Sequence, residues 1–147
     1  MGGRMSRQKG ARGEREVIGI LQPIVDEVCK ETGNPTFVIR RNADQRFAAK
    51  QYDLIGIPWL AIEIKRVENL SGIGSWWKQT LAATLDGQIP VLIYRPNRKP
   101  WKVRMRVPVL ASRMSVTMTV DTDMESFKLW FRWMLHQKLD TERNDSE

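Results

Sequence analysis

The sequence has one cysteine, Cys29, and one histidine, His136, among 147 residues. Internal disulfides, cysteine-rich zinc sites and nucleases that depend on several histidines are therefore excluded, and any bound metal has to be held by oxygen. No apolar run approaches the roughly 18 residues of a membrane-spanning helix. The basic, glycine-rich start lacks the apolar segment of a secretory signal, so a soluble, cytoplasmic protein without membrane association is expected. Acidic residues are missing altogether from residues 87–120, which carry seven basic ones.

What is present fits one globular domain with a single core, given 41% hydrophobic and 28% charged residues over this length. The formal charge is +7 and the pI near 9.9, although the last eight residues hold four carboxylates against one arginine. The body is more basic still, which points to a polyanionic partner. Residues 1–8, without apolar periodicity, read as a flexible basic arm, residues 9–139 as the domain, and residues 140–147 as an acidic disordered tail.

Val17, Ile18, Leu21, Ile24, Val25 and Val28 fall at helical spacing, so a core-facing helix is expected over residues 9–31, with a kink or break at Pro23. Residues 36–41, 52–57 and 60–67 have strand composition, and the last two should form a hairpin through Ile57, Pro58 and Trp59. A helix follows over residues 75–86, stopped by a left-handed Gly87, and residues 89–94 read as a central strand. Trp101, Val103, Met105 and Val107 then alternate with Lys102, Arg104 and Arg106, giving one packed and one cationic face. Val116, Met118 and Val120 are expected inward on a further strand. A capping box at residues 122–125 should open a helix to about Leu139 whose apolar face caps the sheet or builds a dimer. The order describes an α/β domain with a mixed central β-sheet flanked by helices.

Asp53 begins one arm of the expected hairpin, and Glu63 and Lys65 lie on the other at a two-residue step, so both point to one face. Charges set among Ala61, Ile62 and Ile64 are unfavourable unless they are paired or bind a metal. Glu14 heads the buried stripe of the first helix: at about 100° per residue the apolar positions lie within about 80° of it, whereas Glu16 lies near 200°. Three carboxylates and one ammonium suit phosphodiester cleavage with magnesium or manganese, which take oxygen ligands and keep several waters. Arg12 and Arg15 flank Glu14 as a DNA-binding surface requires.

These segments, Lys9 to Ile18, Val38-Ile39-Arg40, Tyr52 to Gly56, Ala61 to Lys65 and Ile89 to Leu92, resemble the archaeal-type Holliday junction resolvases in the same order. Those enzymes belong to the PD-(D/E)xK superfamily, with a restriction-endonuclease-like core. The resemblance implies that Glu14, Asp53 and Glu63 are metal ligands together with the Ile64 carbonyl, and that Lys65 orients the attacking water or stabilises phosphate charge. It implies that Arg15 and Arg40 hold the DNA backbone, and that a homodimer nicks a four-way junction symmetrically. The short Asp53-to-Glu63 interval is similar to that of short-tailed phage resolvases and implies a phage-borne member working in the host cytoplasm.

Lys9 and Arg12, the loop residues Arg41, Arg46 and Lys50, and the strand residues Arg104 and Arg106 complete the expected DNA-binding set. Two other readings compete: a less selective phage nuclease that degrades or debranches DNA, and a basic DNA-binding module whose acidic residues are only structural.

Overall fold

The computed structural model describes residues 2–42, 52–111 and 114–145. In chain order these form α1 (Gly2–Thr32), β1 (Arg40–Arg41), β2 (Leu54–Ile55), β3 (Leu60–Val67), α2 (Ile73–Ala83), β4 (Ile89–Pro96), β5 (Lys102–Ala111), β6 (Met114–Asp123) and α3 (Met124–Asp145). The main sheet has the order β3-β4-β5-β6. Its first pair is parallel, with α2 in the crossover that a parallel connection needs, and the other two are antiparallel. This is the expected mixed α/β architecture, with β4 interior as its continuous apolar run requires.

Strand alternation divides the sheet into two faces. Ile62, Ile64, Val91, Ile93, Val103 and Met105 lie in the main core with Val17, Leu21, Val25 and Val28 of α1 and Phe127, Phe131 and Leu135 of α3. The alternate positions Leu92 and Tyr94 pack instead with Trp77 of α2. Glu63 and Lys65 are the register partners of Leu92 and Tyr94, so both lie on the α2 face. The last helix thus caps the sheet through Phe127 and Phe131, which are fully buried. Trp59 meets Phe131 with ring centroids 6.1 Å apart.

Several elements differ from the sequence reading. The first helix begins at Gly2, through the segment read as an arm: Arg, Met, Gln and Lys propagate a helix well once tertiary packing has nucleated it. It also runs unbroken past Pro23, which is exposed. At the other end of the chain, α3 continues beyond Leu139 to Asp145. Its N-cap is Asp123, whose carboxylate accepts from the Ser126 N–H at 2.7 Å, where a capping box from Thr122 was expected. The helix α2 lies two to three residues earlier than expected and ends on an extended Thr84. Gly87, with φ +84°, serves the following turn instead of the helix end.

The expected hairpin is absent from the described ladders. β2 pairs antiparallel with β1, Arg41 opposite Leu54, and both strands have only two residues. Val116 and Met118, expected inward, are each 52% exposed. The β5–β6 ladder runs to Ala111 and Met114, whereas β4 pairs with β5 only from Val91 to Tyr94. Beyond that point the ribbon outruns the layer that would cover it, and of the three residues expected inward on β6 Val120 packs on the core, beside Val107 of β5.

Gly56 turns the chain from β2 toward β3 at φ +109°, and a Cβ there would stand 2.5 Å from the Val38 carbonyl oxygen. Neither the torsion nor the contact admits a side chain. Gly56→Ala is expected to destabilise the fold by at least about 1–3 kcal/mol from torsional strain alone. Urea unfolding measures this directly, and an unchanged midpoint would refute the tight β1–β2 approach.

Candidate active site

The open edge of β3 positions the first carboxylate. Asp53 donates its backbone N–H to the Ile62 carbonyl at 2.8 Å, and its Oδ2 accepts the Ile64 N–H at 2.8 Å. A strand residue presents its N–H and C=O to the same side, so the Ile64 carbonyl points to the same edge as the N–H that Asp53 holds. The carboxylate therefore substitutes for a neighbouring strand at this position. A ladder that would have closed the edge gives way to an acidic side chain.

Glu63 stands beside it. Its carboxyl is pushed up to about 9, first by burial, then by the Asp53 charge and by a hydrogen bond between the two carboxyl groups; Lys65 opposes the shift and Glu14 adds to it. At neutral pH Glu63 thus retains its proton. Two carboxyl groups so placed, beside one ammonium, form an oxygen-rich cluster in which burial and mutual repulsion oppose ionisation of Glu63.

Glu14 completes the surroundings from α1. Burial raises its pKa, helped by the Asp53 charge and opposed by the hydrogen bond from Arg41. Arg41 Nε donates to Glu14 Oε2 at 2.5 Å. Glu14 therefore lies in the electrostatic field of the pair, engaged by a cation of its own. Among the described residues, no three acidic, histidine or cysteine side chains lie close enough to hold one ion together.

A family model described as "Phage putative PDDEXK endonuclease" matches residues 5–141, nearly the whole chain. The protein belongs to this family. No curated protein and no solved structure matches it. The coarse sequence expectation of a phage nuclease of the PD-(D/E)xK type, with a mixed sheet between helices, is thereby met. No helix among the described residues is long and apolar enough to cross a membrane.

For this PDDEXK endonuclease the donor set suits a hard divalent cation in one specific way. Asp53, Glu63 and the Ile64 carbonyl offer oxygen at one strand edge, and the proton that Glu63 keeps marks a charge that a cation would balance. Glu14 stands next to this group with its carboxylate on Arg41.

The expected DNA-binding residues are dispersed. Arg12, Arg15 and Arg40 are exposed. Arg41, on the same strand face as buried Ile39, is the one that reaches the site, whereas Arg40 points outward. Arg46 and Lys50 lie outside the described residues, and Lys9 is placed in α1 by its backbone alone. Arg106 is half-buried on the α2 face. Arg104 shares that face but is committed to Asp121 through a two-point pair at 2.7 and 3.0 Å, which neutralises the charge it was expected to offer.

Sequence reasoning missed one cluster entirely. Glu16, on the side of α1 away from Glu14, accepts from Arg66 Nη1 at 3.2 Å and from Arg95 Nη2 at 2.5 Å. The signal was present in β3: Arg66 follows Ile62 and Ile64 on the core-facing side of the strand, where an arginine needs a partner.

Proposed function

We propose that this PDDEXK endonuclease is a divalent-metal-dependent DNA nuclease that cuts branched DNA, four-way junctions foremost, with magnesium or manganese as its cofactor. The desolvated Asp53–Glu63 pair at the edge of β3, with Lys65 one step along the same face, is the observation that carries the proposal. The order of segments that resembles the archaeal-type Holliday junction resolvases supports the choice of substrate. Symmetric nicking of a junction requires two sites, and hence a homodimer.

A cation held by Asp53, Glu63 and the Ile64 carbonyl would supply charge neutralisation at the phosphate and an activated water. The protein's own groups do the rest. Lys65 presents an ammonium to the reacting phosphate, where developing negative charge strengthens the contact. Glu14 keeps a further carboxylate beside the pair, and Arg41, which is bound to it, offers a fork that a phosphate can compete for. Arg12 and Arg15 face outward near the middle of α1, where they can track the backbone.

Cleavage of an end-labelled four-way junction, with and without magnesium, tests this reading. Paired nicks near the branch point are expected only with the metal, at least tenfold faster than cuts in the matching linear duplex. Equal cutting of both substrates would favour the less selective phage nuclease, and binding without cutting under any divalent metal would favour the non-catalytic module.

A further inference from the structure

Arg66 and Arg95 are register partners on the parallel β3–β4 ladder, so their side chains leave one face side by side. Their side chains are only 18% and 19% exposed. Arg95 lies over the buried Trp101 ring, with Cζ 4.6 Å from the centroid. Among the described residues, the acidic partner of both is Glu16, which accepts from one Nη of each. Both Nε atoms are buried without a hydrogen-bond partner among the described residues. Two guanidinium groups against one carboxylate leave one positive charge in excess, in a place where water screens it poorly.

Such an arrangement is unfavourable as a purely structural device. Two like charges are held together, ring stacking fixes one of them, and two donors are unsatisfied. α1 passes close at Gly13, where an added Cβ would be in ordinary contact with Trp101 at 3.5 Å and the Arg66 Cβ at 3.6 Å. The exposed Arg12 and Arg15 stand on the same helix segment. An anion presented to the surplus charge would balance it, and a guanidinium fork matches phosphate oxygens in shape and charge.

We propose that Arg66 and Arg95, oriented by Glu16 and Trp101, form an anchor for one backbone phosphate of DNA, separate from the cleavage site. Arg66 lies three residues beyond Glu63 on the same strand, about 10 Å along it, and leaves the opposite face, toward α1. The proposal rests on the nuclease reading and deepens it, because the anchor fixes where the strand lies relative to Asp53 and Glu63.

Fluorescence anisotropy of labelled four-way junction DNA, in chelator and over a series of salt concentrations, tests the anchor without cleavage. The double variant Arg66→Gln with Arg95→Gln should bind about tenfold more weakly, as for a lost charged hydrogen bond, and its plot of log affinity against log salt should be flatter by about 0.9. Lys30→Gln, at the far end of α1, should leave the slope unchanged. An unaltered slope in the double variant, with only a lower melting temperature, would overturn the anchor and leave a structural triad. If circular dichroism shows that the double variant does not fold, Arg66→Lys and Arg95→Lys keep the charge and remove the fork. Each should then weaken binding several-fold at constant slope, and undiminished affinity would overturn the proposal. A wild-type chain that binds DNA with no salt dependence would instead count against the nuclease reading itself.

Discussion

Glu63→Gln and Asp53→Asn are each expected to abolish DNA cleavage while leaving DNA binding within a few-fold of the wild type. The two side chains stand together at the edge of β3 and are the oxygen donors for the proposed cation. Neither belongs to the basic surface that attracts the backbone. Charge stabilisation by a bound metal is worth several kcal/mol, and each ~1.4 kcal/mol is a factor of ten in rate, so the loss should be about 1,000-fold or more. The folded state should not suffer in parallel. Glu63→Gln removes a carboxyl that ionises unfavourably and retains a group able to donate to Asp53, so its melting temperature at pH 8 should equal or exceed that of the wild type. Single-turnover cleavage, anisotropy and thermal melting on the same preparations separate these effects. A variant that cuts at the wild-type rate, or that loses cleavage only because it unfolds, would reject the assignment.

Stability without divalent metal should fall as the pH rises from about 4.5 toward 9. An unfolded glutamate loses its proton near 4.5, whereas Glu63 in the folded chain keeps it to about 9. Between these values the native state binds more protons than the unfolded one, so raising the pH favours unfolding; above about 9 this contribution levels off. Asp26 and Asp123 are held below the usual carboxylate range by hydrogen bonds from Thr36 and from the Ser126 N–H, respectively. Their contributions run in the opposite direction with pH and are confined to the acid side, where stability is lost as they protonate. Comparing melting temperatures of the wild type and Glu63→Gln from pH 5 to 9 isolates the Glu63 effect: the wild type should slope downward more steeply. Parallel curves would contradict the raised pKa.

The local part of this site was readable in the sequence. Two-residue periodicity put Glu63 and Lys65 on one face, and helical periodicity put Glu14 at the head of the stripe whose members Val17, Leu21 and Val25 are fully buried. Strand partners were not readable. Residues 52–57 have the composition of a strand, but the positive φ of Gly56 and the close approach of Val38 send them to β1, and Asp53 meets β3 through single hydrogen bonds instead of a ladder.

The choice between Arg40 and Arg41 had a signal in the alternation with Ile39, because the buried neighbour two positions back marks the inward arginine. By contrast, nothing local identifies Glu16 as the partner of Arg95, 79 residues away. The exposure of Val116 and Met118 depends on where β4 stops, a property of a different strand.

The central claim is that Asp53 and Glu63 hold a divalent cation, which displaces the proton that Glu63 keeps in its absence. Metal binding displaces protons from its ligands, so calorimetric titration with manganese at pH 7, in two buffers of different ionisation enthalpy, reads the exchange directly. The wild type should bind the ion with release of about one proton, and Glu63→Gln should bind much more weakly with no release. Binding without proton release in the wild type, or equal affinity in the variant, would contradict it.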